Sequence, residues 1–225
     1  MPTINSSKAG YVTGQSSTTF STARQNGSSV VAAPTTNQSA AIQYRATAGR
    51  GSLTHSMKRT FLYFDTTALI GTISSTSLQI AGVTNSSADI IVLKSTAFGG
   101  DGGTTLATSD FFSTIDYSTE YSNEYTSWSG VNSIPLLAAA NTDIQNNNAF
   151  IVAIVEHDFD YANSPSGTFA VSLIDGIAFG TTITLTYTEA SSTSITSVNG
   201  IALASIEEMN AIADSNIEKL NTLAY

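Results

Sequence analysis

Between Ala41 and Glu189 the chain runs as short stretches that alternate apolar and polar residues, each closed by Gly, Asn, Asp, Ser or Pro. Side chains along a strand point alternately to opposite faces, so this pattern describes half-buried strands. Ile42-Gln43-Tyr44-Arg45 alternates, as does Ser77-Leu78-Gln79-Ile80-Ala81-Gly82-Val83. Thr60-Phe61-Leu62-Tyr63-Phe64 forms an aromatic strand that stops at Asp65-Thr66-Thr67. Phe150–Val155 and Thr168–Leu173 follow, and Thr181–Tyr187 places Ile183, Leu185 and Tyr187 on one face. Asp89-Ile90-Ile91-Val92-Leu93 does not alternate, which predicts a strand buried on both faces. Gly99-Gly100-Asp101-Gly102-Gly103 offers nothing to pack and reads as a loop. Short helices are expected only at Ser109–Phe112 and Leu136–Ile144. Many short strands separated by turn residues predict an all-β fold, an antiparallel β-sandwich of jelly-roll type over residues 41–190.

The flanks read differently. Residues 1–40, rich in Ser, Thr, Gly, Asn and Gln, suggest an extended N-terminal arm with short strands at Tyr11-Val12 and Val30-Val31. Residues 191–225 begin as a Ser/Thr linker and continue as a repeat of eleven residues. Ile195, Ile206 and Ile217 are in register, as are Val198-Asn199, Met209-Asn210 and Leu220-Asn221, and Ile201-Ala202, Ile212-Ala213 and Leu223-Ala224. Eleven residues span three helical turns at about 3.67 per turn, so the spacing predicts an amphipathic α-helical tail. That helix either folds back on its own sandwich or presents Ile206, Met209, Ile212, Ile217, Leu220 and Leu223 to neighbouring subunits.

The net charge of −9 disfavours nucleic-acid binding. Its distribution is uneven. Lys8, Arg24, Arg45, Arg50, Lys58 and Arg59 precede the first acid, Asp65, after which only Lys94 and Lys219 oppose all 17 acids. The two halves either pair within one fold or hold neighbouring subunits together, with Arg24 and Arg45 as contact residues in the second case.

Chemistry-bearing motifs are sparse. The absence of cysteine removes disulfides, thiolate metal sites and cysteine nucleophiles. The histidines are His55 and His157, and no G-x-S-x-G elbow accompanies them, so no catalytic residue is assigned and the chain is not expected to be an enzyme. Glu156, Asp158 and Asp160 alternate after a strand. If extended geometry continued, they would share a face and suit calcium, the one cofactor expected; a solvated acidic turn is the other reading. Tyr121, Tyr125 and Trp128 could line a glycan-stacking surface or could pack the sandwich and its rim. No apolar run approaches the ~20 residues needed to span a bilayer, and the start MPTINSSKAG lacks the apolar core of a secretory signal, so no membrane partner is expected.

Two regions carry resemblances. Lys58-Arg59-Thr60-Phe61-Leu62-Tyr63-Phe64-Asp65 followed by Gly71–Ile80 resembles the opening of DNRLRE-type, carbohydrate-binding-module-like jelly rolls, with Trp128, Asp143-Ile144 and Thr184–Tyr187 in comparable places. That resemblance implies a jelly roll without catalysis. The tail's Val-Asn-Gly-Ile-Ala repeat is similar to tails on virion proteins of marine and aquatic bacteriophages. Together they imply a homo-oligomeric virion structural protein, assembled in the host cytoplasm and decorating or cementing the head through contacts with capsid or tail subunits. The alternative is a glycan-binding module of a tail fibre or surface adhesin.

Overall fold

The computed structural model describes residues 2–33, 41–48, 52–69, 72–179 and 183–189, together with the backbone of 37–38, 197–198, 201–202, 208–209 and 212–213. It divides into two compact units, Met1–Glu189 and Ala190–Tyr225.

The first unit is sandwich-like, and all of its described strand pairs are antiparallel. A small sheet holds β1 (Thr3–Asn5), β15 (Thr184–Glu189), β7 (Ile73–Ala81) and β11 (Val131–Pro135), in that order. A nine-stranded sheet runs β10 (Ile115–Glu120), β9 (Ile90–Ser95), β12 (Ala149–Glu156), β6 (Leu53–Asp65), β5 (Ile42–Ala48), β13 (Ala170–Asp175) and β8 (Asn85–Ser86), with β2 (Lys8–Gly14) on β6 and β3 (Gly27–Ala32) on β2. The short strands β4 (Asn37–Gln38) and β14 (Ile177–Ala178) pair with each other.

The large sheet is covered on both sides, which explains why Ile90–Leu93 and Phe150–Val155 read as unbroken apolar runs. Leu62, Phe64, Val92, Phe150, Val152 and Ile154 pack toward Leu78, Ile80, Ile134 and Leu185 of the small sheet. The alternate residues, among them Phe61, Ile91, Leu93, Ile151 and Ala153, pack with Val12, Phe98, Leu106 and Phe111 on the opposite side. That second side is roofed by α1 (Phe20–Gln25), a 3₁₀ turn at Phe98–Gly100 and α2 (Asp110–Ser113). The longer α3 (Ala138–Asn146) buries Ala140 and Ile144 in the inter-sheet core.

β6 organises the large sheet because three strands share it. β2 pairs with its Lys58–Tyr63 and β12 with its Thr60–Asp65, so these two lie on opposite edges. β5 pairs with Leu53–Lys58, and Lys58 faces both Thr13 and Gln43, so β5 lies opposite β2 and follows β12 along the same edge. The sheet therefore forks at Arg59 and Thr60, where β12 leaves β6 and β5 joins it. The Thr60 hydroxyl spans the fork to the Ala41 carbonyl at 3.0 Å.

Two expectations change here. Residues 2–33 are not an extended arm: β1 completes the small sheet and β2 lies against the centre of the large one. The composition misled because Gly10 and Gly14 are required by packing: a Cβ on Gly10 would stand 2.5 Å from the Val31 carbonyl, and one on Gly14 2.5 Å from the Phe111 ring. In the tail, the described residues are paired strands and not helix. β16 (Ser197–Val198) pairs with β17 (Ile201–Ala202), and β18 (Glu208–Met209) with β19 (Ile212–Ala213). Asn199-Gly200 lies between the first pair, the dipeptide favoured in two-residue hairpin loops. The two described strand pairs recur at the eleven-residue period, and at 208–209 and 212–213 strand pairing stands where the spacing predicts helix. Ile206, Ile217, Leu220 and Leu223 lie outside the described residues.

Burial on both faces of β6 has a measurable consequence. Phe61→Ala and Leu62→Ala, adjacent in sequence, should each lower unfolding free energy by about 2–5 kcal/mol in denaturant titrations. In a sheet solvated on one side, one of the two would cost little.

Candidate functional site

The fork in the large sheet is closed by ionised side chains. β12 ends at Glu156, and the chain enters a π-helical turn, His157–Tyr161, capped by the Glu156 carboxylate. Its Oε2 accepts the Phe159 and Asp160 N–H groups, each at 3.0 Å, and Oε1 accepts the Ser172 hydroxyl of β13 at 2.8 Å. The turn directs Asp160 inward to Arg59. The pair is bidentate, Nε to Oδ2 and Nη2 to Oδ1 at 2.7 Å each, and both side chains are fully buried. Arg59 also donates to the Arg24 carbonyl at 2.8 Å and to the Phe111 carbonyl, so Nε, Nη1 and Nη2 are all engaged. The Phe111 ring lies 4.0 Å from its guanidinium carbon. Arg24 joins from α1, donating to the Asp160 carbonyl at 2.8 Å and lying 3.4 Å from Oδ1, with its guanidinium 4.5 Å from the Tyr117 ring centre.

Burial would make the Arg59 guanidinium easier to deprotonate, but the Asp160 charge reverses this and holds it cationic. Burial pushes the Glu156 carboxyl up to about 7, against the three bonds that favour its anion. The Tyr117 hydroxyl is buried without a hydrogen-bond partner, and burial with the Asp160 charge raises it far above the usual phenol range. A raised carboxyl beside a charge pair resembles acid–base machinery. Here, however, both oxygens of Glu156 and both of Asp160 are engaged by the protein, and the arrangement is suited to holding the fork closed.

The sequence-derived calcium trio is therefore not brought together. Glu156 and Asp160 are buried and Asp158 is exposed, because a π-helical turn replaces the extended geometry that would have aligned them. Arg24, expected at an interface, is buried in this network, while Arg45 is exposed on β5 opposite Val171. The uneven charge distribution signalled this pairing, since Arg24 and Arg59 of the basic stretch meet Asp160 of the acidic one. The role of Arg59 as its centre carried no signal of its own.

The two histidines are unlike. His55 is buried, its Nδ1 3.0 Å from the Tyr44 hydroxyl and its ring edge-on to Phe20; desolvation lowers its proton affinity, so it is a neutral packing residue. His157 is partly exposed, with Nδ1 3.1 Å from Glu124 Oε1 and 3.2 Å from Asp158 Oδ1. These three ligand atoms lie within 4.8 Å of one another.

The aromatic trio is split. Tyr121 is buried against Phe150 and donates its hydroxyl to Asp143, which also takes Lys94 at 2.7 Å. Tyr125 and Trp128 stay together, edge to face at 5.1 Å, and the indole Nε1–H is anchored on the Ala88 carbonyl at 2.9 Å. Trp128 forms one wall of an open groove of about 370 Å³, with Thr84, Asn85, Ser86 and Ser129 among the other lining residues. Behind the groove, Gly82 and Gly176 adopt φ of +82° and +85°, and their backbones approach so closely that a Cβ on Gly176 would lie 2.4 Å from the Gly82 carbonyl oxygen.

Two predictions follow from the fork. Asp160→Asn should cost about 3–5 kcal/mol in equilibrium unfolding, because it leaves the Arg59 charge buried and uncompensated. Glu156 binds its proton more tightly folded (about 7) than unfolded (about 4.5), so its contribution is fully present below about pH 4.5 and is lost as pH rises through 7. Glu156→Gln, which mimics the protonated acid, should leave the melting temperature near that of the parent at pH 4.5 and raise it at pH 8. A parallel pH dependence in the two proteins would contradict this assignment.

No family model matches the chain, and no curated protein matches it, so the jelly-roll and virion-tail resemblances rest on the motifs at Lys58–Ile80 and in the tail repeat.

Proposed function

We propose that this chain is a non-catalytic structural protein of a bacteriophage particle, a jelly-roll module that decorates the head and binds neighbouring subunits through its tail. The observation that carries the reading is the tail's repeated hairpin. Two pairs of two-residue strands recur eleven residues apart with the same register, Val198 opposite Ile201 and Met209 opposite Ile212. A two-stranded hairpin is marginal on its own, and repeats of this kind gain stability by stacking on neighbours. A tail built from them has its natural partner in further copies or in an adjoining subunit. The first unit supports the reading in a second way, because its buried Arg24, Arg59 and Asp160 pair with one another at the fork.

Sedimentation velocity on the full chain and on residues 1–189 tests it. The full chain should sediment as an oligomer, and the shortened chain as a monomer with an unchanged melting temperature. Identical monomeric behaviour of the two would overturn the assembly role. Peptides of the chain should also appear in purified particles at a fixed ratio to the capsid subunit, and their absence would overturn the virion assignment.

The Trp128 groove favours a second reading, a glycan-binding module. An indole beside Thr84, Asn85, Ser86 and Ser129 combines an aromatic group with hydroxyl and amide partners for a sugar. Saturable binding on a glycan array, abolished by Trp128→Ala, would establish it in place of the structural role.

A further inference from the structure

We propose that Glu124, His157 and Asp158 form a binding site for a divalent transition-metal ion of the zinc type, open to solvent on one side. The argument begins with ligand geometry. Zinc binds imidazole nitrogen and carboxylate oxygen at about 2.0–2.1 Å, so adjacent ligand atoms of a tetrahedral site stand about 3.3–3.4 Å apart. The His157 Nδ1 lies 3.1 Å from Glu124 Oε1 and 3.2 Å from Asp158 Oδ1, two edges of such a tetrahedron within a few tenths of an ångström. The three ligand atoms span no more than 4.8 Å, so one ion reaches all of them after a small side-chain adjustment.

The backbone fixes the segments that bring these residues together. The His157 N–H donates to the Asp89 carbonyl at 2.8 Å. Tyr125, next to Glu124, and Ile90, next to the Asp89 that holds the His157 N–H, exchange a reciprocal pair of bonds at 3.1 and 2.9 Å. The imidazole stacks on Tyr161, ring centres 5.5 Å apart and planes inclined by 24°, which restrains the ring without occupying Nδ1. His157 opens the π-helical turn whose far end carries Asp160, so the buried fork anchors the exposed ligand.

Charge acts in the same direction. Asp89 adds a third acidic residue beside Glu124 and Asp158, on the segment whose carbonyl holds the His157 N–H. Among the described residues, Glu124 and Asp158 both reach the same imidazole nitrogen, and no lysine or arginine side chain forms an ion pair with either. A divalent ion relieves the repulsion between these carboxylates. The nitrogen ligand and short edges select against calcium, which takes six to eight oxygens at about 2.3–2.6 Å. Three protein ligands leave at least one coordination position for water or for a group from a partner.

Isothermal titration of zinc chloride into the tag-free, chelator-treated full chain at neutral pH tests the site. One equivalent should bind per chain. His157→Ala should weaken binding at least tenfold, and Glu124→Gln and Asp158→Asn should each do so measurably, with circular dichroism unchanged because all three side chains lie at the surface. Asp101→Asn, in the exposed glycine loop, should bind zinc as the parent does. Cobalt in place of zinc should give the intense visible absorption of tetrahedral coordination, lost in His157→Ala. Absence of binding at millimolar zinc, or equal binding by the parent and His157→Ala, would overturn the proposal. Neither result bears on the assembly role of the tail.

Discussion

The pairing of Arg59 with Asp160 makes the forked sheet possible. Where β12 and β5 part along one edge of β6, an uninterrupted sheet would offer backbone partners and the fork does not. The π-helical turn fills that place, and its Asp160 carboxylate meets the guanidinium projecting from β6. Burying two charges costs several kcal/mol for each ion, and the cost is offset only when geometry and surrounding hydrogen bonds are nearly complete. Here they are: the guanidinium is bidentate to its partner and reaches two main-chain carbonyls, with Phe111 stacked beside it. The pair contributes specificity more than raw stability, because a hydrophobic substitute would lack the directional bonds that join α1, α2, β6 and the turn.

That closure divides labour across the turn. Asp160 and the Glu156 cap face inward and are saturated by protein partners, whereas His157 and Asp158, which lie between them in sequence, reach solvent. A sequence of alternating carboxylates looks uniform, but the tighter winding of the turn sorts its members between the interior and the surface. The same separation occurs among the aromatics, where Tyr121 enters the core and Trp128 lines a groove.

Strand existence and type were legible from periodicity. The alternation at Ser77–Val83, the continuous apolar run at Ile90–Leu93 and the short helix before Asn146-Asn147-Asn148 all correspond to described elements, because local pattern and burial agree there. In residues 2–33, Ser, Thr and Gly give the composition of an arm, yet Gly10 and Gly14 are small because other chain segments press on them. In the tail a period of eleven fits three helical turns as readily as it fits a repeated pair of short strands, so the strand pairs at 197–202 and 208–213 carry no distinct signal in the period itself. The fork was not legible. It depends on a strand of 13 residues serving three partners and on a π-helical turn, neither of which leaves a local signature. The cluster at His157 was likewise hidden, since Glu124 is distant in sequence and is brought near by the Ile90–Tyr125 bridge.

The sharing of β6 also shapes how the molecule comes into being. Its Thr60–Asp65 edge pairs with Ala149–Ile154, so on a ribosome that edge emerges 84 residues (149 − 65) before its partner begins. At about 5–20 residues per second, the interval is roughly 4–17 s. During that time Phe61, Leu62 and Phe64 lie on a strand with an open hydrogen-bonding edge, the kind of surface that recruits other chains. Synthesis of this protein thus passes through an interval in which self-association competes with completion of the sheet, and faster elongation or a chaperone that shields the nascent strand should raise the yield of folded molecules.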